Sequence, residues 1–363
     1  MWALLDMLRR HRSVIRGICS TQTALWALLI TGLVLGSATW ALVPAQSIKV
    51  GLSFAGLAIF GLIMLYQAKH QSEAETHTTQ TALIAGMSIA IALLALGTFY
   101  GLMYDQPLWG KENQHPIRTL SHAQTIIAIF LIPCLVMLWN RGAKAKAYAA
   151  ALLGVATITF FNLEHGASNL AILVALLAFI MVRFSGKIGF AVLCIVVLLA
   201  VIMMPFLMGT FLPDQETLNA MIPGQGAWSS ETHRFHMWRF VTEAISEGSF
   251  LLGYGADASR SFPGANEKIM WGIELMPLHP HNGALQVWLE LGAVGVAVIG
   301  ILLALIFKAT KEMPNNELAV QAALLSAFIV PWLWSYGVWQ SWWLALAWLA
   351  AAIGRGLAAP QQG

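Results

Sequence analysis

Apolar residues recur in long runs, separated by short polar breaks, along almost the whole chain. Ten runs stand out, near 24–44, 50–68, 81–104, 121–139, 147–163, 168–184, 188–209, 283–307, 317–335 and 339–354. A helix rises 1.5 Å per residue, so about 20 apolar residues cross a hydrocarbon core of about 30 Å, whereas a membrane β-barrel shows short alternating segments. The pattern therefore predicts an all-α, polytopic helical membrane protein with about ten transmembrane helices, built as one integral membrane domain over 1–363. One polar interruption is far longer than the rest. Residues 210–282 form a large loop outside the membrane, and within it "SSETHRFHMWRFVTEAISEG" reads as a helix. Ser229 or Ser230 caps its start, Glu231 lies in its first turn, and Gly248 stops it. Phe235, Trp238, Val241 and Ile245 recur at helical spacing and would lay it on the membrane face of the protein or on its own bundle.

Composition strengthens the membrane reading. Of 363 residues, 58% are hydrophobic and 10% charged, and mean hydropathy is +0.70, which excludes an ordinary water-soluble domain. The net charge of +3 gives no reason to expect a nucleic-acid partner. The placement of charge says more. With the N-terminus inside, Arg9, Arg10, Arg12, Arg16, Lys69, Arg141, Lys144, Lys146, Arg183, Lys187, Lys308, Lys311 and Arg355 fall on the cytoplasmic side, against Lys49, Lys111 and Arg118 in the short outer loops. That bias predicts cytoplasmic termini, and it leaves the basic residues of the long translocated loop outside the rule. The basic N-terminal segment reads as a retained signal anchor. Cys19, Cys134 and Cys194 have no disulfide or metal spacing and read as small apolar groups.

Candidate chemistry gathers where the long loop re-enters the membrane, at "LHPHNGALQVWLELGAVG" (Leu278–Gly295). Pro280, between His279 and His281, keeps the first histidine out of the following helix. A neutral imidazole there suits a general base, and equally an interfacial anchor for the helix end. Arg234, Arg239 and Arg260 share the loop. A guanidinium fork suits a pyrophosphate, and equally a lipid headgroup or solvent. Arg234 and Arg239 point about 140° apart on a helix, so they do not face one ligand. Glu290, about 13 Å along the helix from His281, reads as a structural partner at depth. Gly292, Gly295 and Gly300 read as small residues for close helix packing. "GYGADA" reads as a turn and "KHQSEAETHTT" as a solvated linker without a metal site. The tryptophans from Trp332 to Trp348 read as an aromatic belt with helix packing.

His281 and Asn282, nine further residues, then Gly292 and Gly295 resemble the signature of the O-antigen ligase family, whose relatives include O-antigen and exopolysaccharide polymerases. "HRFHMWRF", "LLGYGAD" and "SYGVWQSWW" agree in order and spacing. The resemblance implies a metal-independent, inverting glycosyltransferase of the bacterial inner membrane, working on the periplasmic face without a cofactor. Its donor would be an undecaprenyl-diphosphate-linked glycan, and its acceptor a lipid A core sugar or another glycan. His281 and Arg234 would be catalytic, and Arg260, His279, Asn282 and His165 would bind substrate. His165 stands where the family carries an arginine. A polymerase of the same family is the alternative, and a lipid or solute transporter is the alternative of another class. Against transport, no inverted repeat or matched pair of broken spans is visible.

Overall fold

The apolar runs fold as helices. The computed structural model describes residues 17–18, 21–108, 120–163, 165–221, 229–269 and 272–357. Cys19, the arginines at 9, 10, 12 and 16, Lys111 and Arg118 lie outside the described residues, as does the expected signal anchor up to residue 16. The helices are α1 (Gln22–Gly36), α2 (Pro44–Lys69), α3 (Glu73–Tyr104), α4 (Ser121–Trp139), α5 (Ala143–Phe161), α6 (Gly166–Phe211), α7 (Gln215–Met221), α8 (Ser230–Glu247), α9 (Gly283–Thr310), α10 (Asn315–Trp334) and α11 (Ser341–Leu357). Among the described residues there is no strand, only one isolated bridge between Lys268 and Glu274. This is an all-helical, multi-pass membrane protein.

Eight of these helices are long and apolar enough to cross a membrane. They differ from the ten expected runs in two places. The 46 residues of α6 contain both 168–184 and 188–209, interrupted at Gly186, whose φ of 59° and ψ of −138° are not helical. Unbroken, such a helix would be about 69 Å long, more than twice the hydrocarbon core. The run at 339–354 lies in α11, which has 17 residues. The start of α3 also differs from expectation. Ser72 caps it through the backbone N–H of Glu75, and the Glu75 carboxylate returns the bond to Ser72, so the helix begins at Glu73. The segment read as a solvated linker is thus mostly the polar first turns of a helix.

The described residues gather into two compact units. One takes its residues from Met1–Tyr66, Cys194–Ala309 and Trp332–Trp348; the other comprises Gln67–Leu193, Thr310–Pro331 and Leu349–Gly363. In the second, α3, α4 and α5 pack together, with Tyr148 of α5 hydrogen-bonded to Ser88 of α3. Large apolar side chains such as Phe161 and Phe184, each 83% exposed, face outward, as a lipid-facing surface requires. Cys134 and Cys194 are buried and free.

The first unit contains the long loop. α8 forms as its sequence predicts, with Ser229 as its cap and Gly248 at its end. Trp238, Val241 and Ile245 are buried, and Phe235 is half-buried, its ring edge-on to Trp238. The turn that follows, 250–259, sits against the chain between the end of α1 and the start of α2. Ser37 accepts the N–H of Ala256, Ser47 donates to the Ala256 carbonyl, and the Leu42 N–H donates to Tyr254.

Candidate functional site

Asn282 begins the site by starting a helix. Its side-chain oxygen accepts the Leu285 N–H at 3.0 Å, a cap that satisfies one of the donors every helix start leaves open. The chain just before it is held in an unusual conformation. His281 has φ +52°, the left-handed region that costs a β-carbon-bearing residue energy and persists only where its surroundings enforce it.

Three contacts enforce it. The indole N–H of the buried Trp238, on α8, donates to the Pro280 carbonyl at 2.8 Å. The His281 backbone N–H donates to Nδ1 of His279 at 3.1 Å, and the two rings lie 4.4 Å apart. Nδ1 of His281 meets the Ser335 carbonyl at 2.7 Å. A carbonyl can only accept, so the hydrogen is on Nδ1 and Nε2 of the neutral ring carries the lone pair. That is the tautomer a general base needs.

His279 is 4% exposed and serves the same end. Its Nδ1 accepts from His281, so its own hydrogen is on Nε2, 3.3 Å from the Gln340 amide nitrogen; with that amide turned over, its otherwise unpartnered oxygen accepts the hydrogen. Burial, then His281 and Arg260, push its pKa down to about 3, so it stays neutral at physiological pH. Gly337 packs against the ring: a methyl group there would sit 2.8 Å from Cδ2. Burial also lowers the pKa of His281, against the Ser335 hydrogen bond, which raises it; Arg234 and His233 on α8 lower it further. These influences place Arg234 within electrostatic reach of His281, and Arg260 within reach of His279.

Arg234 is half-buried. Arg260 follows the turn at Asp257, whose two oxygens its Nε contacts at 3.0 Å each. Burial raises the Asp257 pKa, and the guanidinium opposes that rise. The Arg260 side chain remains 42% exposed. Arg239 is used differently: it donates to Glu243 and to the carbonyls of Gly209 and Leu212, closing the end of α6. The two arginines of α8 do diverge as their spacing predicts. His165 lies in the other compact unit, where its Nδ1 meets Ser168 at 2.6 Å and Ser168 in turn meets Thr125 at 2.8 Å.

Sequence reasoning missed the part that the hairpin between α10 and α11, residues 335–340, plays in this site. Ser335, Gly337 and Gln340 all touch the histidines, yet the only hint was the resemblance of "SYGVWQSWW". Some of the tryptophans there pack within the protein: Trp343 is 1% exposed and packs with Tyr336 and Trp342, while Trp334, itself exposed, lies edge-on against Trp238.

The helix beyond the site is broken. Gly292 has φ 59° and ψ −154°, so α9 is interrupted nine residues after its start. The loop takes up the freed backbone groups. Tyr254 and Gly255 donate to the carbonyls of Leu289 and Glu290, and Ala293 and Val294 donate to those of Phe250 and Leu251. Gly292 is therefore a required backbone turn, beyond the small packing residue expected. Glu290 is also not alone at depth, because the 257–259 turn comes down to meet it.

The family described as O-antigen ligase matches residues 149–300, a span that includes α8, the Asp257 turn and both histidines. Among curated proteins, the chain is similar to a "Putative polysaccharide ligase" of Rickettsia typhi, 28% identical over 62% of this chain and 55% of the relative. Proteins of the same printed name are 31% identical in Rickettsia conorii, over 46% of this chain and 41% of the relative, and 38% identical in Rickettsia prowazekii, over 32% and 29%. The chain thus spans about half or less of the length of these relatives. No solved structure matches it.

Proposed function

We propose, from the match of residues 149–300 to the family described as O-antigen ligase, that the chain belongs to that family and transfers a glycan from a polyprenyl diphosphate to a hydroxyl acceptor at the periplasmic face of the membrane. The donor is an undecaprenyl-diphosphate-linked glycan, and the acceptor a lipid A core sugar or a related glycan. The enzyme sits in the bacterial inner membrane as one domain, with cytoplasmic termini and residues 210–282 in the periplasm.

The observation that supports this reading is the His281 tautomer fixed by the Ser335 carbonyl, with Arg234 within electrostatic reach of that ring and Arg260 within reach of the neighbouring His279. His281 Nε2 takes the proton from the acceptor hydroxyl as its oxygen attacks the anomeric carbon. The bond from that carbon to the diphosphate oxygen breaks in the same displacement, which inverts the centre. Arg234 and the terminal nitrogens of Arg260 stabilise the charge on the departing diphosphate, the largest contribution such sites usually make. Every step runs through side chains, with no cofactor. His279 and Asn282 remain expected substrate contacts, while within the protein Nδ1 of His279 accepts the His281 N–H and the Asn282 side-chain oxygen caps the following helix. His165 remains an expected substrate contact. The relatives' printed names favour ligation over polymerisation.

The test is transfer in a purified system with lipid-linked glycan and lipid A core acceptor. His281→Ala and Arg234→Ala are expected to abolish product, and undiminished turnover in either removes that residue from the mechanism. Deleting the gene separates the readings in cells. Loss of long glycan on lipid A core with polymer accumulating on undecaprenyl diphosphate supports a ligase. Single-repeat caps indicate a polymerase, and precursor held at the inner face indicates a transporter.

A further inference from the structure

The buried carboxylate of Glu290 is 0% exposed, yet no cation pairs with it in any ion pair among the described residues. Five donors satisfy it instead. Oε2 accepts the Asp257 N–H at 2.8 Å and the indole N–H of Trp339. Oε1 accepts the Ser259 hydroxyl at 2.5 Å, the Ser259 N–H at 3.3 Å and the Gln286 amide at 2.9 Å. These donors come from two chain segments besides its own helix, and each segment bears on a different half of the site. Asp257 holds Arg260. Trp339 belongs to the hairpin whose Ser335 carbonyl orients His281, and Gln286 adds to that hold by accepting the Val338 N–H.

We infer that Glu290 is a positioning residue that sets the distance between the Arg260 turn and the His281 imidazole by tying both to one carboxylate. The inference rests on the proposed transferase reading and gives it a regulator of geometry. One group short enough to be rigid, with both oxygens occupied, leaves neither segment free to shift without breaking a buried hydrogen bond. A glutamine at 290 keeps the shape, and turning its nitrogen toward the Ser259 hydroxyl keeps the fold. It then loses the Ser259 N–H and the Gln286 amide, both of which donate to Oε1, so the turn loosens while Trp339 still holds the hairpin through Oε2. A misplacement of about 1 Å in a reacting group costs on the order of a hundredfold in rate.

The experiment compares kcat and donor KM per folded enzyme for wild type, Glu290→Gln, Ser259→Ala and Trp339→Phe, with His281→Ala as the inactive control. The expected result for Glu290→Gln is kcat lower by about tenfold to a hundredfold, with donor KM within about threefold. Ser259→Ala, which removes the turn's hydroxyl bond to the carboxylate, and Trp339→Phe, which removes the hairpin's indole bond to it, each lower kcat by less. Their double variant falls no further than Glu290→Gln. A merely structural carboxylate lowers the melting temperature and folded yield but leaves kcat per folded molecule unchanged, and that result overturns the inference. Should Glu290→Gln fail to fold, wild-type kcat in both single-segment variants overturns it equally. Wild-type protein that moves no glycan from the lipid diphosphate sinks the transferase reading instead. An active wild type with a dead His281→Ala and a fully active Glu290→Gln sinks only this inference.

Discussion

The same backbone device occurs twice with opposite surroundings. Gly186 in α6 and Gly292 in α9 both have φ 59°, with ψ of −138° and −154°, and both interrupt long apolar helices. Around Gly292, four backbone hydrogen bonds from the outer loop occupy the groups that the break releases. Around Gly186 lies an open hollow of about 400 Å³ lined by polar and charged groups, among them Lys187, Lys311 and Asn315. A break in a membrane helix exposes backbone that must find a partner, and the two sites answer that need differently. At Gly292 other backbone answers it, and the loop at 250–255 is pinned to the helix on both sides of the break. At Gly186 the break opens on polar side chains.

The sharpest test of this contrast is Gly292→Ala. A methyl group there would sit 2.5 Å from the carbonyl carbon and oxygen of Leu251, atoms that cannot move without the loop. With about 1–3 kcal/mol of conformational strain on top, the expected outcome is loss of folded protein or of all transfer, read by thermal unfolding in detergent and by the glycan assay. Next comes Arg239→Ala, which leaves the Gly209 and Leu212 carbonyls at the end of α6 without their donor. It should lower stability by about 2 kcal/mol while leaving the His281 chemistry in place, so kcat per folded enzyme is retained.

A pH titration tests the two histidines. The His279 pKa is lowered from 6.5 to about 3, so between those values the unfolded chain binds a proton that the folded one does not. Stability should therefore rise with pH from about 3 to 6.5 and level off above, and His279→Gln should make that slope shallower. Because His281 is also lowered, the acid limb of kcat/KM should fall below pH 6.5; a limb at or above 6.5 would contradict a buried neutral base. Smallest is Gly186→Ala. The added methyl group would stand 2.6 Å from Oδ1 of Asn315, a side chain that can swing away. Only the strain of about 1–3 kcal/mol remains, and activity should survive. A loss equal to that of Gly292→Ala would erase the distinction between the two breaks.

The helices and the loop were legible because their signals are local. A run of apolar residues, a serine before a helix and a glycine after it act within a few positions, so α8 appears between Ser229 and Gly248 as read. His281 and Arg234 were legible as chemical types at a membrane boundary. The partners that fix them were not. Ser335 acts through its carbonyl, which every residue possesses, so nothing in its identity reports the contact. Gly292 looked like any small residue of a packed helix, because a conformational need leaves the same letter as a steric one.

The order of residues by itself determined that this protein is helical and crosses a membrane repeatedly, and it singled out histidines and arginines of the long loop as candidates for the proposed chemistry. Only the tertiary structure decided which imidazole nitrogen is left open, which arginine closes a helix end and which carboxylate ties the loop to the hairpin. The physical reason is range. Hydropathy and capping sum over neighbours in the chain, whereas a tautomer or a shared carboxylate depends on donors that folding brings from about 30 to 50 residues away.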